Sequence, residues 1–419
     1  MDSSANVNAG KIDQLIRYMK FLTRFYKNRP DFHYYRMMQD YYIALRDACQ
    51  NGGFVVAHTI FFPVEIFQAL DLVPMHLEFT GSLMSLFGID CADLLAQAGE
   101  MGLPSEICSA HRLIAGALKL GALPANGAVV CSNLVCDNAI KSGELIMDFN
   151  HCPGFAFDYP FNKSEAADKF IMQELRDVIA FLEQVSGHKM DWQNLSDNIA
   201  ETNKQISLIR QINNLCKTLP SPFQPQDFLK LLVVEYMGAG KIESTSYLEK
   251  LYKELSAMIA VGKGFANPER LRLMTTMLTP WYLQADIDST LMKHGAAIVC
   301  NPNLSDWREL PQLDPEKPLE SIAIKLAACS PMRMFALLDN RSIDPFISSI
   351  KDYKIDGVLN FNHLGCRQLG PTFKIYKDVL NELGVPILNI DCDLIDSTIT
   401  SGDEVCQKME QFFELLEDR

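Results

Sequence analysis

The run VVCSNLVCDNAIKSGELIMDF, Val129 to Phe149, decides how the rest of the chain is read. It opens on apolar strand-forming residues and passes through a short loop carrying two cysteines and two asparagines. It ends in a segment whose apolar residues recur at helical spacing. A buried strand that leads through a loop into a helix is half of a βαβ unit, and such units build parallel sheets. The rhythm recurs on both sides. GFVVAHTIFF (53–62) runs into PVEIFQALDL (63–72), where Pro63 suits the first turn of a helix, and GFAFDYPF (154–161) reads as the next strand. Beyond residue 265, LRLMTTMLTPW, AAIVCNP, DGVLNFNHLGC and VPILNIDCD each read as a buried strand entering a loop. The helices IDSTLMKHG, PTFKIYKDVLNELG and GDEVCQKMEQFFELLE lie between or after them.

The remaining segments are helical. Residues 11–50 carry helical periodicity with a break at Pro30, and 164–260 are helical except around LPSPFQPQDF. The expected organisation is therefore α/β, with two parallel-sheet domains of Rossmann or flavodoxin-like type. A helical N-terminal segment (1–50) precedes the first α/β domain (51–163), and a helical insert (164–264) separates it from the second (265–419).

A chain of 419 residues is too long for one ordinary core, and 48% hydrophobic with 21% charged residues places it among folded proteins. The net charge of -14 leaves no basic stripe for phosphates, which argues against nucleic acid and against an anionic membrane surface. The N-terminus MDSSANVNAGKIDQ lacks a signal-peptide pattern, and no apolar run reaches the roughly 20 residues of a membrane span. The cytoplasm is the expected compartment. Twelve cysteines there are not expected to form disulfides. Cys49, Cys91, Cys216, Cys392 and Cys406 lie in apolar or helical patterns and read as small core residues.

Several familiar chemistries lack their signatures. There is no C-x-x-C pair or ferredoxin run, no G-x-x-x-x-G-K-[ST] loop, no G-x-G-x-x-G after a strand and no G-x-S-x-G elbow. MGAGKIES (237–244) has the wrong spacing for a phosphate loop and reads as a turn. Any metal site must be assembled from distant segments. Parallel sheets bind ligands at the carboxyl ends of their strands, which picks out HTIFFPVE, CSNLVCDN, MLTPW and NHLGCRQ. The thiols placed to meet there are Cys108 in LPSEICSAHR, Cys136 and Cys366. Spacing alone leaves open a shared metal site or three unrelated buried cysteines. Glu65 falls in the first turn of a helix, where an acid is favoured by the dipole anyway, whereas Glu78 follows the apolar LVPMHL. His58 and His363 flank the same loops, as proton carriers or as hydrogen-bonded structural histidines.

Taken in order, these segments resemble the 2-hydroxyacyl-CoA dehydratase / benzoyl-CoA reductase family, and in particular its 2-hydroxyglutaryl-CoA dehydratase D-component-like subunits. FFPVEIFQALDLVPMHLE is similar to the family's P-x-E helix and acidic loop. AGEMGLPSEICSAHRLIAGAL resembles G-[YL]-P-x-x-[IL]-C-[SA]-x-x-R, and CSNLVC resembles C-x-N-x-[IV]-C. Residues 355–417 resemble the C-terminal module, so the likeness runs from about residue 50 to the end.

The resemblance implies a [4Fe–4S] cluster held by Cys108, Cys136 and Cys366, with one iron left open, and Asn133 with its neighbouring amides donating to sulfide. It implies radical elimination of water from a 2-hydroxyacyl-CoA through a ketyl radical. The electron would come from a separate ATP-hydrolysing iron–sulfur activator, and the partner would be a second family subunit. Glu65 and Glu78 match acidic positions bordering the family's active site. An alternative within the family is a homodimeric reductase with a double-cubane [8Fe–9S] cluster, for which Cys329, Cys131 and Cys300 are the extra thiols. A third reading is a non-catalytic subunit that relays electrons. Two departures stand out. DCDLIDST (391–398) lacks the arginine of the family's D-G-D-x-x-D-x-R, and AHTIFF puts Ile60 and Phe61 where small hydroxyl residues are frequent, predicting a drier, narrower pocket.

Overall fold

The computed structural model describes residues 4–88, 91–123, 127–134, 136–160, 164–302, 307, 310–328, 340–368 and 370–418. Two long helices come first, α1 (Ser4–Phe25) and α2 (Asp31–Asn51), packed as a hairpin. The first half continues with β1 (Val55–His58), α3 (Val64–Ala69), β2 (Val73–His76), α4 (Leu77–Leu86), α5 (Ala92–Glu100), α6 (Ser109–Lys119), β3 (Ala128–Ser132), α7 (Asp137–Asn150) and β4 (Gly154–Phe157). Four helices follow, α8 (Glu165–Ser186), α9 (Trp192–Leu215), α10 (Pro225–Met237) and α11 (Ile242–Ala260). The second half holds β5 (Leu271–Thr275), α12 (Gln284–Lys293), β6 (Ala296–Cys300), α13 (Pro318–Ala327), α14 (Asn340–Asp352), β7 (Gly357–His363), α15 (Phe373–Leu383), β8 (Ile387–Cys392) and α16 (Gly402–Glu417).

Both halves are four-stranded parallel sheets, ordered β2-β1-β3-β4 and β6-β5-β7-β8. The α/β reading of the sequence is therefore correct, and the two sheets repeat one strand order. In each, the order reverses beside its first strand, between β1 and β3 and between β5 and β7. A crevice opens at such a reversal because the flanking connections leave in opposite directions. The central strands β1, β3 and β5 and the edge strand β6 are buried throughout, as helices covering both faces require.

Some local expectations shift. Pro63 is extended (φ -71°, ψ 108°) and precedes α3 instead of lying in its first turn, because a proline at this point delivers the chain from loop to helix without needing an N–H donor. Cys49 is exposed on α2 and Cys406 is half-buried, whereas Cys91, Cys216 and Cys392 are core residues as expected. MGAGKIES contains the turn between α10 and α11, at residues 238–241, while Met237 ends α10 and Ile242 to Ser244 already belong to α11.

Two details set the position of α6. A Cβ added at Gly116 would lie 1.8 Å from the Leu94 carbonyl oxygen, so only glycine lets α6 lie this close to α5. The Tyr41 hydroxyl of α2 accepts a hydrogen bond from His76 N at 2.8 Å, fixing the end of β2 from behind.

Candidate functional site: three cysteines between the sheets

Cys108 and Cys136 are the residues immediately before α6 and α7, with non-helical backbones. Each thus faces the amide-rich, partially positive start of a helix, where sulfur anions are favoured. Cys108 accepts from the backbone amides of Ala110 and His111, and Cys136 from that of Asn138. Cys366 follows β7, in a turn closed by Cys366 N donating to His363 O at 2.8 Å. The second half approaches the first so closely here that a Cβ at Gly365 would lie 2.6 Å from both Cα and N of Cys108.

Burial pushes the Cys108 thiol up to about 12, and the charge of Cys366 adds to it. Burial raises Cys136 as well, with further contributions from Cys108, Cys366 and Glu78. The three sulfurs that the sequence placed at strand and helix ends therefore lie within one another's electrostatic reach, beside Glu78.

Glu78 sits in the first turn of α4, and its Oε2 accepts the Ile60 backbone N–H at 3.0 Å. Burial raises its carboxyl from 4.5 to about 7. The same oxygen lies 3.5 Å from His76 Nδ1, which already accepts from Phe79 N at 3.3 Å. His76 is fully buried and its pKa is held well below the usual range by that burial, so it is neutral.

Stability should respond to pH through this carboxyl. An unfolded Glu78 ionises near 4.5 and the folded one near 7, so the folded metal-free chain loses stability as pH rises across that interval. Glu78→Gln removes the penalty, and should stabilise the chain by up to about 3 kcal/mol at pH 8 while leaving it near wild type at pH 4. Urea denaturation of both proteins at the two pH values measures this. Parallel pH profiles would contradict it.

The other sequence candidates are engaged by partners other than the three sulfurs. The Glu65 carboxylate is fully buried and paired with Lys325 of α13, and Oε1 also accepts from Thr202 of α9 at 3.3 Å. His58, at the end of β1, is packed among His76 and Phe67 with ring centroids at 4.8 and 5.0 Å, and its Nδ1 lies 3.1 Å from Thr59 O. Burial lowers its pKa to about 4, which keeps it neutral. His363 contacts Leu278 O at 2.7 Å through Nε2. Asn133 does not face sulfur. Its Nδ2 bonds the Asp158 carboxylate and its Oδ1 accepts Tyr159 N at 2.7 Å, because the β3 loop must be tied to the chain leaving β4.

Of the extra thiols, Cys131 lies inside β3 against α7, where a Cβ at Gly143 would come within 2.6 Å of its sulfur. Cys300 ends β6 near Cys216. Cys329 lies outside the described residues.

Two neighbours of Cys108 were not chosen as site residues from the sequence, although Arg112 is the arginine of the family's C-[SA]-x-x-R. His111 Nε2 lies 3.7 Å from Cys136 Sγ, while Nδ1 meets Ser142 Oγ at 2.7 Å. Burial lowers its pKa to about 4, so it stands as a neutral imidazole against the thiol. Arg112 reaches Asp396 Oδ2 at 2.7 Å. Their positions three and four residues beyond a cysteine at a helix start were the available signal, since such residues share its face.

The mouth is apolar on the β1 side. Phe61 adopts φ 73°, unusual for a bulky residue, and its ring meets Tyr236 edge-on at 4.8 Å. A cavity of about 440 Å3 lies between the halves, lined by Ser85, Leu95, Tyr282, Asp396, Ser397 and Thr398 among others. Its size falls in the range of small-molecule pockets.

Among the described residues, no three His, Cys, Asp or Glu side chains gather closely enough to hold one metal ion. Cys108, Cys136 and Cys366 are the side chains that could hold a multi-iron cluster, in which each thiolate would bind its own iron.

The family model of the 2-hydroxyglutaryl-CoA dehydratase D-component matches residues 59–416. The chain belongs to this family. Among curated relatives, it is 22% identical to the (R)-2-hydroxyisocaproyl-CoA dehydratase alpha subunit of Clostridioides difficile, over 91% of this chain and 95% of that one. It is 20% identical to the (R)-phenyllactyl-CoA dehydratase alpha subunit of Clostridium sporogenes, over 80% and 83%. A benzoyl-CoA reductase subunit of Thauera aromatica is 21% identical, over 85% and 87%. These D-component relatives are named as subunits of larger enzymes, which implies partner chains for them. No helix among the described residues is long and apolar enough to cross a membrane.

Proposed function

We propose that this chain is the iron–sulfur subunit of a 2-hydroxyacyl-CoA dehydratase or a related acyl-CoA reductase, working in a reducing cytoplasm. The observation that carries the reading is the convergence of Cys108, Cys136 and Cys366 from both sheets, in a chain whose family acts on CoA thioesters. Cys108, Cys136 and Cys366 are the ligands. A [4Fe–4S] cluster held there would supply low-potential electron transfer and Lewis-acid chemistry toward a substrate oxygen, with an ATP-hydrolysing iron–sulfur activator as the electron source.

The chain's own groups define the rest. Backbone amides of Ala110, His111 and Asn138 donate to the sulfurs and stabilise their anionic form. Glu78, with a carboxyl near 7, is the residue that takes and returns the proton lost beside the departing hydroxide. The Ile60 amide holds its Oε2 in place. Phe61 and its neighbours keep water from the β1 side. The partner that completes the enzyme is a second family subunit.

Iron and acid-labile sulfide per chain, measured on protein purified without oxygen, test this. About four irons are expected. About eight would indicate the double-cubane reductase instead, and none after reconstitution would end the cluster reading.

A further inference from the structure

Two ion pairs tie the cysteine loops across the halves, and burial separates their importance. Asp137, next to Cys136, meets Arg367, next to Cys366, at 3.4 Å, and accepts from Gln368 Nε2 at 3.1 Å. The Asp137 and Arg367 side chains are 51% and 66% exposed, and pairs that exposed contribute little. Arg112 and Asp396 differ. Their side chains are 7% and 8% exposed, and removing one member of such a pair leaves an uncompensated buried charge.

Arg112 has two holds at once. Its Nη2 donates to Asp396 Oδ2 at 2.7 Å, and its Nε donates to Ile107 O at 3.1 Å, on the residue just before Cys108. Asp396 is in turn presented by a rigid turn. Asp393 Oδ1 accepts the N–H groups of Ile395 and Asp396 at 2.8 Å, and Thr398 donates its N–H and hydroxyl to Asp396 Oδ1 at 3.1 and 2.6 Å. That turn is fixed to the second half by Trp281 N donating to Leu394 O at 3.0 Å and the Tyr282 hydroxyl donating to Thr400 O at 3.0 Å. Thr398 occupies the place where the family pattern carries arginine, and the cation that pairs with Asp396 is Arg112, the arginine of the family's C-[SA]-x-x-R.

We infer that the Arg112–Asp396 pair is the clamp that sets the Cys108 thiol against Cys366, so that ligands from both halves are in register before iron arrives. These are positioning residues, and the inference rests on the three-cysteine cluster site proposed above. Gly365 already lies against the Ile107–Cys108 peptide that Arg112 holds, so loss of the clamp is read at the thiols.

The test uses the full chain, with Arg112→Gln, Asp396→Asn, the exchange R112D/D396R, and Arg367→Gln as control. In metal-free protein, dibromobimane fluoresces after bridging two adjacent thiols, and peptide mapping identifies the Cys108–Cys366 product. In reconstituted protein, the rate of iron loss to a chelator and the electron paramagnetic resonance of the reduced cluster are read. R112Q and D396N should lower bridging and speed iron loss by about tenfold or more, with an altered resonance. The exchange restores the charge pair but not the hold on Ile107 O, so it should recover bridging only in part, and R367Q should match wild type. Wild-type bridging in a folded R112Q or D396N would overturn the clamp and leave the cluster reading standing. Wild-type protein that bridges but takes up no iron, with bridging lost in R112Q, would do the reverse. Should neither single variant fold, Arg112→Lys, which keeps a cation for Asp396 but cannot also hold Ile107 O, decides, since lowered bridging supports the clamp and wild-type bridging refutes it.

Discussion

Replacing Cys136 by serine is expected to lower iron from about four atoms per chain to below about one, and with it all turnover, while Cys406→Ser keeps both. The contrast follows from surroundings. Cys136 lies at the start of α7 within reach of Cys108, Cys366 and Glu78, while Cys406 is half-buried within α16. Serine keeps the size and the hydrogen bond from the Asn138 amide, but its oxygen is a poor ligand for iron held by soft thiolate chemistry. The loss does not come from unfolding, because the site is built from backbone caps that serine also serves. Iron analysis and circular dichroism on anaerobic preparations settle it. Equal iron in both variants would mean that the ligands are elsewhere.

The second large effect concerns Glu65. Glu65→Ala should destabilise the chain by about 3–5 kcal/mol, because it strands the Lys325 ammonium in a nearly closed site. Lys325 is 10% exposed and stands 5.7 Å over the Trp307 ring, which only partly replaces a carboxylate. Glu65 Oε2 has no hydrogen-bond partner among the described residues, so the pair is incompletely satisfied even in the wild type. The double replacement E65M/K325M is therefore expected to lie within about 1 kcal/mol of wild type. The comparison separates two roles. A brace is replaceable by apolar packing, with activity retained in the double variant. An acid or base is not, and a double variant that is stable but inactive would return Glu65 to the catalytic machinery. Urea denaturation alongside turnover gives both readings.

Much of the fold was legible because it is written locally. Strands such as AAIVC are short, wholly apolar runs bounded by turn residues, and those are the marks of strands buried on both faces. The cysteines at the ends of such runs, or at the first residue before a helix, could be selected on the same grounds. What could not be read was the destination of each polar side chain. Asn133 looked placed for sulfide yet closes on Asp158, 25 residues away. Glu65, seemingly accounted for by its own helix, meets Lys325 at a separation of 260 residues.

The sequence by itself determined two parallel sheets and which thiols stand at their carboxyl ends, since apolar spacing and helix starts depend on neighbours within a few residues. Only the tertiary structure decided that Cys108 faces Gly365 and Cys366, that Arg112 finds Asp396 across 284 residues, and that Glu78 is buried enough to hold a proton near neutrality. Those outcomes depend on how two separately formed sheets pack against each other, and the burial and charge that result are properties of that interface, which no local spacing encodes.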